Sequence, residues 1–165
     1  MAVENASTAV LVGIDVGSDS LVTATTCLAS SSIPTLVRNN LSNDATPTAL
    51  TFKHGGEREL GEGAIGAPAS NAANFFSGDF LPKLGDAAAR VVVPDVRGGD
   101  GESSLGGAQL LAMLVRDQAA HAERQTGAAP ARVVLALPAA MSAEGARAAA
   151  DAAVIARLAD TSSRG

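Results

Sequence analysis

Val10-Leu11-Val12-Gly13-Ile14-Asp15-Val16-Gly17-Ser18-Asp19-Ser20 climbs as a short apolar run, meets an aspartate, and turns on a glycine into small hydroxylated residues. A second β-prone run, Leu21 to Cys27, follows at once. Two such runs joined by Gly17-Ser18-Asp19-Ser20 predict a β-hairpin with a tight turn. Gly17 suits a turn that offers backbone N–H groups to an anion, where a Cβ would intrude. Asp15 stands at the end of the first strand, where a carboxylate can hold a divalent cation or its water shell beside a phosphate. From the residues alone, a plain hairpin with polar turn residues is the alternative. Gly13 is then expected to serve close strand packing, and Ser18 to satisfy its own backbone.

The rest of the chain sets bounds on that reading. At 165 residues the sequence has the length of one domain with a real core. Apolar residues make up 47% and charged residues 18%, so the chain is globular in bulk. The four aromatics are Phe52, Phe75, Phe76 and Phe80, so the core must come from Val, Leu, Ile and Ala. Small alanines bury little area each, and modest stability is expected. A net charge of −5, with no Lys/Arg cluster, argues against a nucleic-acid partner. One cysteine, Cys27, excludes an internal disulfide and reads as a small buried hydrophobe. The first eight residues lack the basic and apolar parts of a secretory signal, and no apolar run reaches transmembrane length. The expectation is a cytoplasmic protein without a membrane partner. Residues 1–9 are expected to be flexible, 10–158 to form the domain, and 159–165 to fray.

Along the chain, Pro34 to Val37 predicts a short strand and Ser42-Asn43-Asp44 a turn. Thr46 to Phe52 predicts one further strand with Pro47 at its start. Lys53 to Arg58 reads as a hairpin tip with a short return to Gly61, which makes His54 a solvent-facing residue. Glu62 to Asn74 reads as a short helix with an irregular continuation around Pro68. Phe75 to Gly85 gathers three aromatics and is expected to be a packing plug. Arg90 to Pro94 predicts a strand and 98–104 a flexible loop. Leu105 to Gln125 carries a helical apolar stripe through Leu110, Leu111, Leu114, Val115, Gln118 and Ala119, stopped by Gly127 and Pro130. Arg132 to Pro138 is an apolar run of buried-strand type. Ser142 and Glu144 open a last helix to about Leu158. Neither His54 nor His121 has a partner at ligand or base spacing.

The order of these pieces resembles a family. Gly13-Ile14-Asp15-Val16-Gly17-Ser18 is followed by Asn43-Asp44-Ala45-Thr46-Pro47-Thr48-Ala49-Leu50-Thr51-Phe52, by Glu57 to Ala64, and by Asn71 to Phe76. Val133 to Ala139 and Asp151 to Leu158 complete the succession. Together they resemble the start of the nucleotide-binding domain of the DnaK-type, seventy-kilodalton heat-shock chaperones, in register from Val10 to Leu158. The resemblance implies an α/β, actin-like (ribonuclease H-like) ATPase fold, represented by its first lobe: a mixed sheet, a β-hairpin phosphate loop and flanking helices. It implies ATP or ADP with Mg²⁺ as cofactor. Asp15 would organise the Mg²⁺ shell, through water, and Gly17, Ser18 and Asp19 would form the phosphate loop, with Gly17 and Ser18 approaching the β/γ-phosphates. Unfolded or nascent protein, co-chaperones and a full-length chaperone are the partners it implies.

Departures from the pattern shape the expected activity. Asp19 stands where active members carry a second threonine, and a carboxylate there repels a triphosphate unless it turns outward or meets the cation. Asp79 takes the place of the catalytic lysine and cannot stabilise a developing phosphoryl charge. Lys83 could substitute only if the loop around Gly78 and Pro82 is rebuilt. Ala146 stands at the place of the relay arginine, beside Arg147, while the switch proline is kept as Pro138. The family's second phosphate loop, adenosine pocket and peptide-binding domain have no counterpart in these residues. Nucleotide affinity is therefore expected to be millimolar or weaker, with weak or no hydrolysis. Two other readings stand beside this one. The first is a non-catalytic DnaK-like regulatory, ribosome-associated or large heat-shock-type partner. The second is a piece of another actin-like kinase, such as a sugar or acetate kinase.

Overall fold

The computed structural model describes residues 9–27, 33–66 and 72–158. Expectations for the ends of the chain, for Pro68 and for the Cys27 side chain lie outside what it describes. The predicted hairpin is present. Strand β1 (Val10–Val16) pairs antiparallel with β2 (Ser20–Cys27). Two short strands, β3 (Thr35–Leu36) and β4 (Ala45–Pro47), share the far edge of β2, both antiparallel.

The expected single strand from Thr46 to Phe52 is broken. Thr48 leaves the ladder, and β5 (Ala49–Phe52) enters a second sheet between β6 (Arg58–Leu60) and β7 (Phe75–Ser77). The 53–58 turn joins β5 to β6 as predicted, and His54 on it is exposed. Helix α1 (Glu62–Ile65) follows.

The aromatic stretch packs on the core as expected through Phe76, Phe80, Leu81 and Leu84, but Phe75, Phe76 and Phe80 are each only half-buried. Phe75 and Phe76 lie in β7, and Phe80 lies in the 3₁₀ helix Gly78–Lys83. Phe76 meets Phe52 edge-on at a centroid distance of 5.9 Å. Strand β8 (Arg90–Pro94) forms as expected, but part of the predicted loop is its partner β9 (Glu102–Gly106). Asp95 closes the turn between them. Its carboxylate accepts the Arg97 and Gly99 N–H groups and the Ser103 hydroxyl, which hold its pKa below the ordinary carboxylate range.

Helix α2 (Gly107–Thr126) starts two residues later than the periodicity predicts, because Leu105 and Gly106 belong to β9. The Gly106 N–H is taken by the Gln109 side chain, and Gly127 ends the helix in the left-handed region at φ 76°. Strand β10 (Pro130–Ala136) then runs parallel to β1, giving a first sheet ordered β10-β1-β2 with β3 and β4 beyond. Helix α3 (Ala143–Ile155) closes the order, with the Ser142 hydroxyl accepting the Gly145 N–H at 3.0 Å. The architecture is a mixed α/β fold with a mixed first sheet.

The alternation of β1 decides the two faces of that sheet. Val10, Val12, Ile14 and Val16 are buried in one core with Leu110, Leu111, Leu114 and Val115 of α2, each apolar side chain contributing about 1.5–3 kcal/mol. Ala149 and Ala152 of α3 join the same core, and their small size lets the two helices approach closely. The opposite face of β1 presents Gly13 and Asp15 to solvent. Strand β10 is likewise not buried on both faces, as its apolar run suggests. Among the described residues it is an edge strand, with Val134 60% exposed beside Gly13. Among the described residues, no helix is long and apolar enough to cross a membrane.

One buried polar chain crosses this core. Thr23 donates to Gln118 Oε1 at 2.8 Å, and Gln118 Nε2 lies 3.5 Å from His121 Nδ1. Thr23, Gln118 and His121 are all buried, and His121 Nε2 lacks a hydrogen-bond partner among the described residues, with Asp117 Oδ2 3.8 Å away. Burial pushes the His121 pKa down, Asp117 opposes this, and Arg124 adds to it. Arg58, Glu59 and Glu62, from β6 and α1, line a cleft together with Asp117 and His121. The folded chain thus resists a proton that the unfolded chain accepts below about pH 6.5. This stability is complete above that value and is lost as pH falls toward the lower folded pKa. Denaturant midpoints measured from pH 7 to pH 5.5 should fall steadily, and His121→Gln should flatten the slope. An unchanged slope in the variant would assign the loss to other groups.

Candidate functional site

The turn between β1 and β2 is built from contacts on both sides. The Gly17 N–H donates to the Ser20 carbonyl at 3.0 Å. A Cβ on Gly17 would come within 2.8 Å of that same oxygen, so this position requires glycine for a close approach; its φ is not positive. The Gly17 carbonyl accepts the Thr48 hydroxyl at 2.7 Å, and the Asp19 carbonyl accepts the Thr48 N–H at 3.0 Å. Thr48 leaves the β-ladder with both its hydroxyl and its N–H engaged by this loop.

From the other side, Gly78 packs on Ser18. A Cβ at Gly78 would overlap the Ser18 carbonyl, so no larger residue fits without moving the loop. The 3₁₀ helix that Gly78 opens is anchored in the core by Leu81, followed by the buried Leu84. It ends against α3, where a Cβ on Gly85 would stand 2.6 Å from Glu144. Loop, 3₁₀ helix and the first turn of α3 thereby surround a cavity of about 310 Å³. Ser18, Leu81, Pro82, Pro138, Met141 and Ser142 are among its lining residues.

The four expected site residues fall unevenly around this cavity. Ser18 is exposed at its rim and lines it. Asp19 is exposed at the corner, and its side chain has no hydrogen-bond or ion-pair partner among the described residues. Asp15 sits opposite Val22 and Ala136, exposed on the face of β1 away from Ile14 and Val16, and does not line the cavity. The N–H groups of Ser18 and Asp19 have no backbone partner among the described residues, whereas that of Gly17 is spent within the turn. Gly13 has no neighbour within 4 Å of where its Cβ would be, so strand packing does not explain it.

Lys83 stands apart from the loop. It lines a separate cleft with Asp79, Arg90 and the three phenylalanines, on a part of the surface where Ser18 has no place. Asp79 accepts the Ser77 hydroxyl at 2.8 Å, and it forms no ion pair with Lys83. Ala146 and Arg147 are both exposed on α3.

Magnesium fits the site in one limited way. Asp15 is exposed and makes no hydrogen bond or ion pair among the described residues, as a carboxylate acting through a cation's water shell requires. Among the described residues no three His, Cys, Asp or Glu side chains gather to hold a metal directly. Thr48 and Gly78 are the site residues that local reasoning misses. The repeated threonine around Pro47 and the glycine between Ser77 and Asp79 are their only marks in the sequence. No family model matches the chain, and no curated protein matches it.

Two substitutions separate packing from hydrogen bonding in this loop. Gly78→Ala should cost about 1–3 kcal/mol, because either Ser18 or the 3₁₀ helix must shift. Gly13→Ala, into open space, should stay within about 0.5 kcal/mol of the parent. Thr48→Val should cost about 1 kcal/mol through the lost bond to Gly17. Urea denaturation checks all three, and equal effects at Gly78 and Gly13 would contradict the packing described.

Proposed function

We propose that this chain is a nucleotide-binding segment of the DnaK-type heat-shock chaperone kind, on an actin-like, ribonuclease H-like lobe. In this reading the Gly17–Asp19 loop contacts the phosphates of ATP or ADP. The observation that carries the reading is the arrangement at one end of the first sheet. An antiparallel hairpin is followed, through α2, by a strand parallel to β1. The hairpin loop and the Pro138 turn then meet around one cavity.

Each residue has a physical task in this proposal. Ser18 and Asp19 offer uncommitted backbone N–H groups, and Ser18 a hydroxyl, to phosphate oxygens. Asp15 receives the hydrated Mg²⁺, which supplies the positive charge that two nearby carboxylates otherwise deny to a triphosphate. Gly17 is a structural member of the loop rather than a donor. Hydrolysis by this segment alone is weak or absent, since Lys83 faces a different cleft and Asp79 cannot supply its charge. That placement of Lys83 also favours a non-catalytic, regulatory member of the same kind. Its partners would then be unfolded or nascent protein, co-chaperones or a full-length chaperone, in the cytoplasm.

Calorimetric titration with Mg·ATP and Mg·ADP tests the proposal. Saturable binding in the millimolar range is expected, weakened severalfold by Asp15→Ala. Absence of binding at saturating nucleotide, or an unchanged affinity in the variant, would refute the assignment.

A further inference from the structure

A second cleft, of about 470 Å³, lies between β7, the 3₁₀ helix, β8 and the start of α2. Phe75, Phe76 and Phe80, three of the four aromatics in the chain, line it while remaining half-buried. Half-exposed phenylalanines gathered in one concave place are unusual, because the hydrophobic effect favours their burial. Two cations join them, Lys83 and Arg90. Lys83 is exposed and has no ion pair or hydrogen-bond partner among the described residues. Arg90 is held in place across the hairpin: Nε donates to the Ser104 hydroxyl at 2.8 Å and Nη2 to the Ser104 carbonyl at 2.6 Å. Its Nη1 lies beside Gly106, at the start of α2, and no hydrogen bond engages it among the described residues. The single acid in the lining, Asp79, accepts the Ser77 hydroxyl and keeps its charge, so the lining carries two cations against one anion.

The local charge is thus positive, on a chain whose net charge is −5. An aromatic, apolar floor lined also by the free Lys83 ammonium and by an Arg90 guanidinium with Nη1 still unused is complementary to one kind of occupant. The body must be flat and apolar to pack on phenylalanine faces and edges, and it must carry an anionic head for Lys83 and Arg90. A neutral apolar molecule would leave both cations unused. We propose that this cleft binds a small aromatic carboxylate. The site is separate from the cavity at Ser18 and does not rest on the nucleotide reading.

The test titrates the whole chain with 4-phenylbutyrate by calorimetry and compares it with the uncharged 4-phenylbutanol. Saturable binding of the carboxylate is expected, with the alcohol about tenfold weaker. Lys83→Ala should raise Kd about fivefold, which is the effect of one partly exposed charged contact. Phe80→Ala should weaken both ligands together. Arg90 also braces the β8–β9 hairpin, so Arg90→Ala is scored only after circular dichroism shows an unchanged fold, and Lys83→Ala carries the charge test if it does not. No binding of 4-phenylbutyrate, equal binding of the alcohol, or indifference to Lys83→Ala would each overturn the proposal.

Discussion

The Thr48 side chain donates to the Gly17 carbonyl at 2.7 Å while its backbone N–H reaches the Asp19 carbonyl at 3.0 Å. Through this one residue the second sheet holds the loop of the first. Strand β4 ends and β5 begins around it, so the same bonds that fix the loop also turn the chain from one sheet to the other. Gly78 completes the clamp by admitting the Ser18 backbone where a side chain would collide. Two loop carbonyls are thereby occupied internally, and the N–H groups of Ser18 and Asp19 are left without backbone partners among the described residues. A loop held in this way loses little further freedom when an anion arrives, which is the physical content of preorganisation.

Electrostatics oppose the same site. Asp15 and Asp19 are both exposed near the loop, and the cavity lining described above contains no lysine or arginine. A bare triphosphate meets two carboxylates there, so the nucleotide reading depends on a divalent cation. The basic groups of this region lie instead in the phenylalanine cleft, where Lys83 and Arg90 face apolar surface. The 3₁₀ helix Gly78–Lys83 contributes to both places, with Leu81 and Pro82 at one and Asp79, Phe80 and Lys83 at the other. Division of its residues in this way separates phosphate contact from positive charge. That separation is why a chain with a well-built loop is proposed to hydrolyse weakly or not at all.

Much of the fold is legible in the sequence where the signal is local. Alternating β-branched residues mark the β1–β2 hairpin, and the stripe from Leu110 to Ala119 marks α2. The Ser142 cap marks the start of α3. Legibility fails where a distant partner decides. Thr46 to Phe52 reads as one strand because its residues all favour extended backbone, and only the loop opposite Thr48 divides it. The Glu102-Ser103-Ser104 stretch looks like a loop by composition, yet β8 and the Asp95 turn hold it extended. Strand β10 is apolar on both faces of its run, and nothing local distinguishes a central strand from an edge. Asp15, Gly17, Ser18 and Asp19 can be singled out because they fall within one five-residue stretch. Their uneven placement, with Ser18 at the cavity and Asp15 on the opposite face of β1, comes from strand alternation combined with the packing of Gly78.

The most direct test of this account is a two-dimensional ¹⁵N–¹H spectrum of the labelled chain, recorded during titration with Mg·ATP. If the loop is a preorganised phosphate cradle, the amides of Ser18 and Asp19 shift first and most, while that of Thr48, committed to the Asp19 carbonyl, moves little. Shifts confined to residues outside Gly17–Asp19, or an unchanged loop at saturating nucleotide, would contradict it.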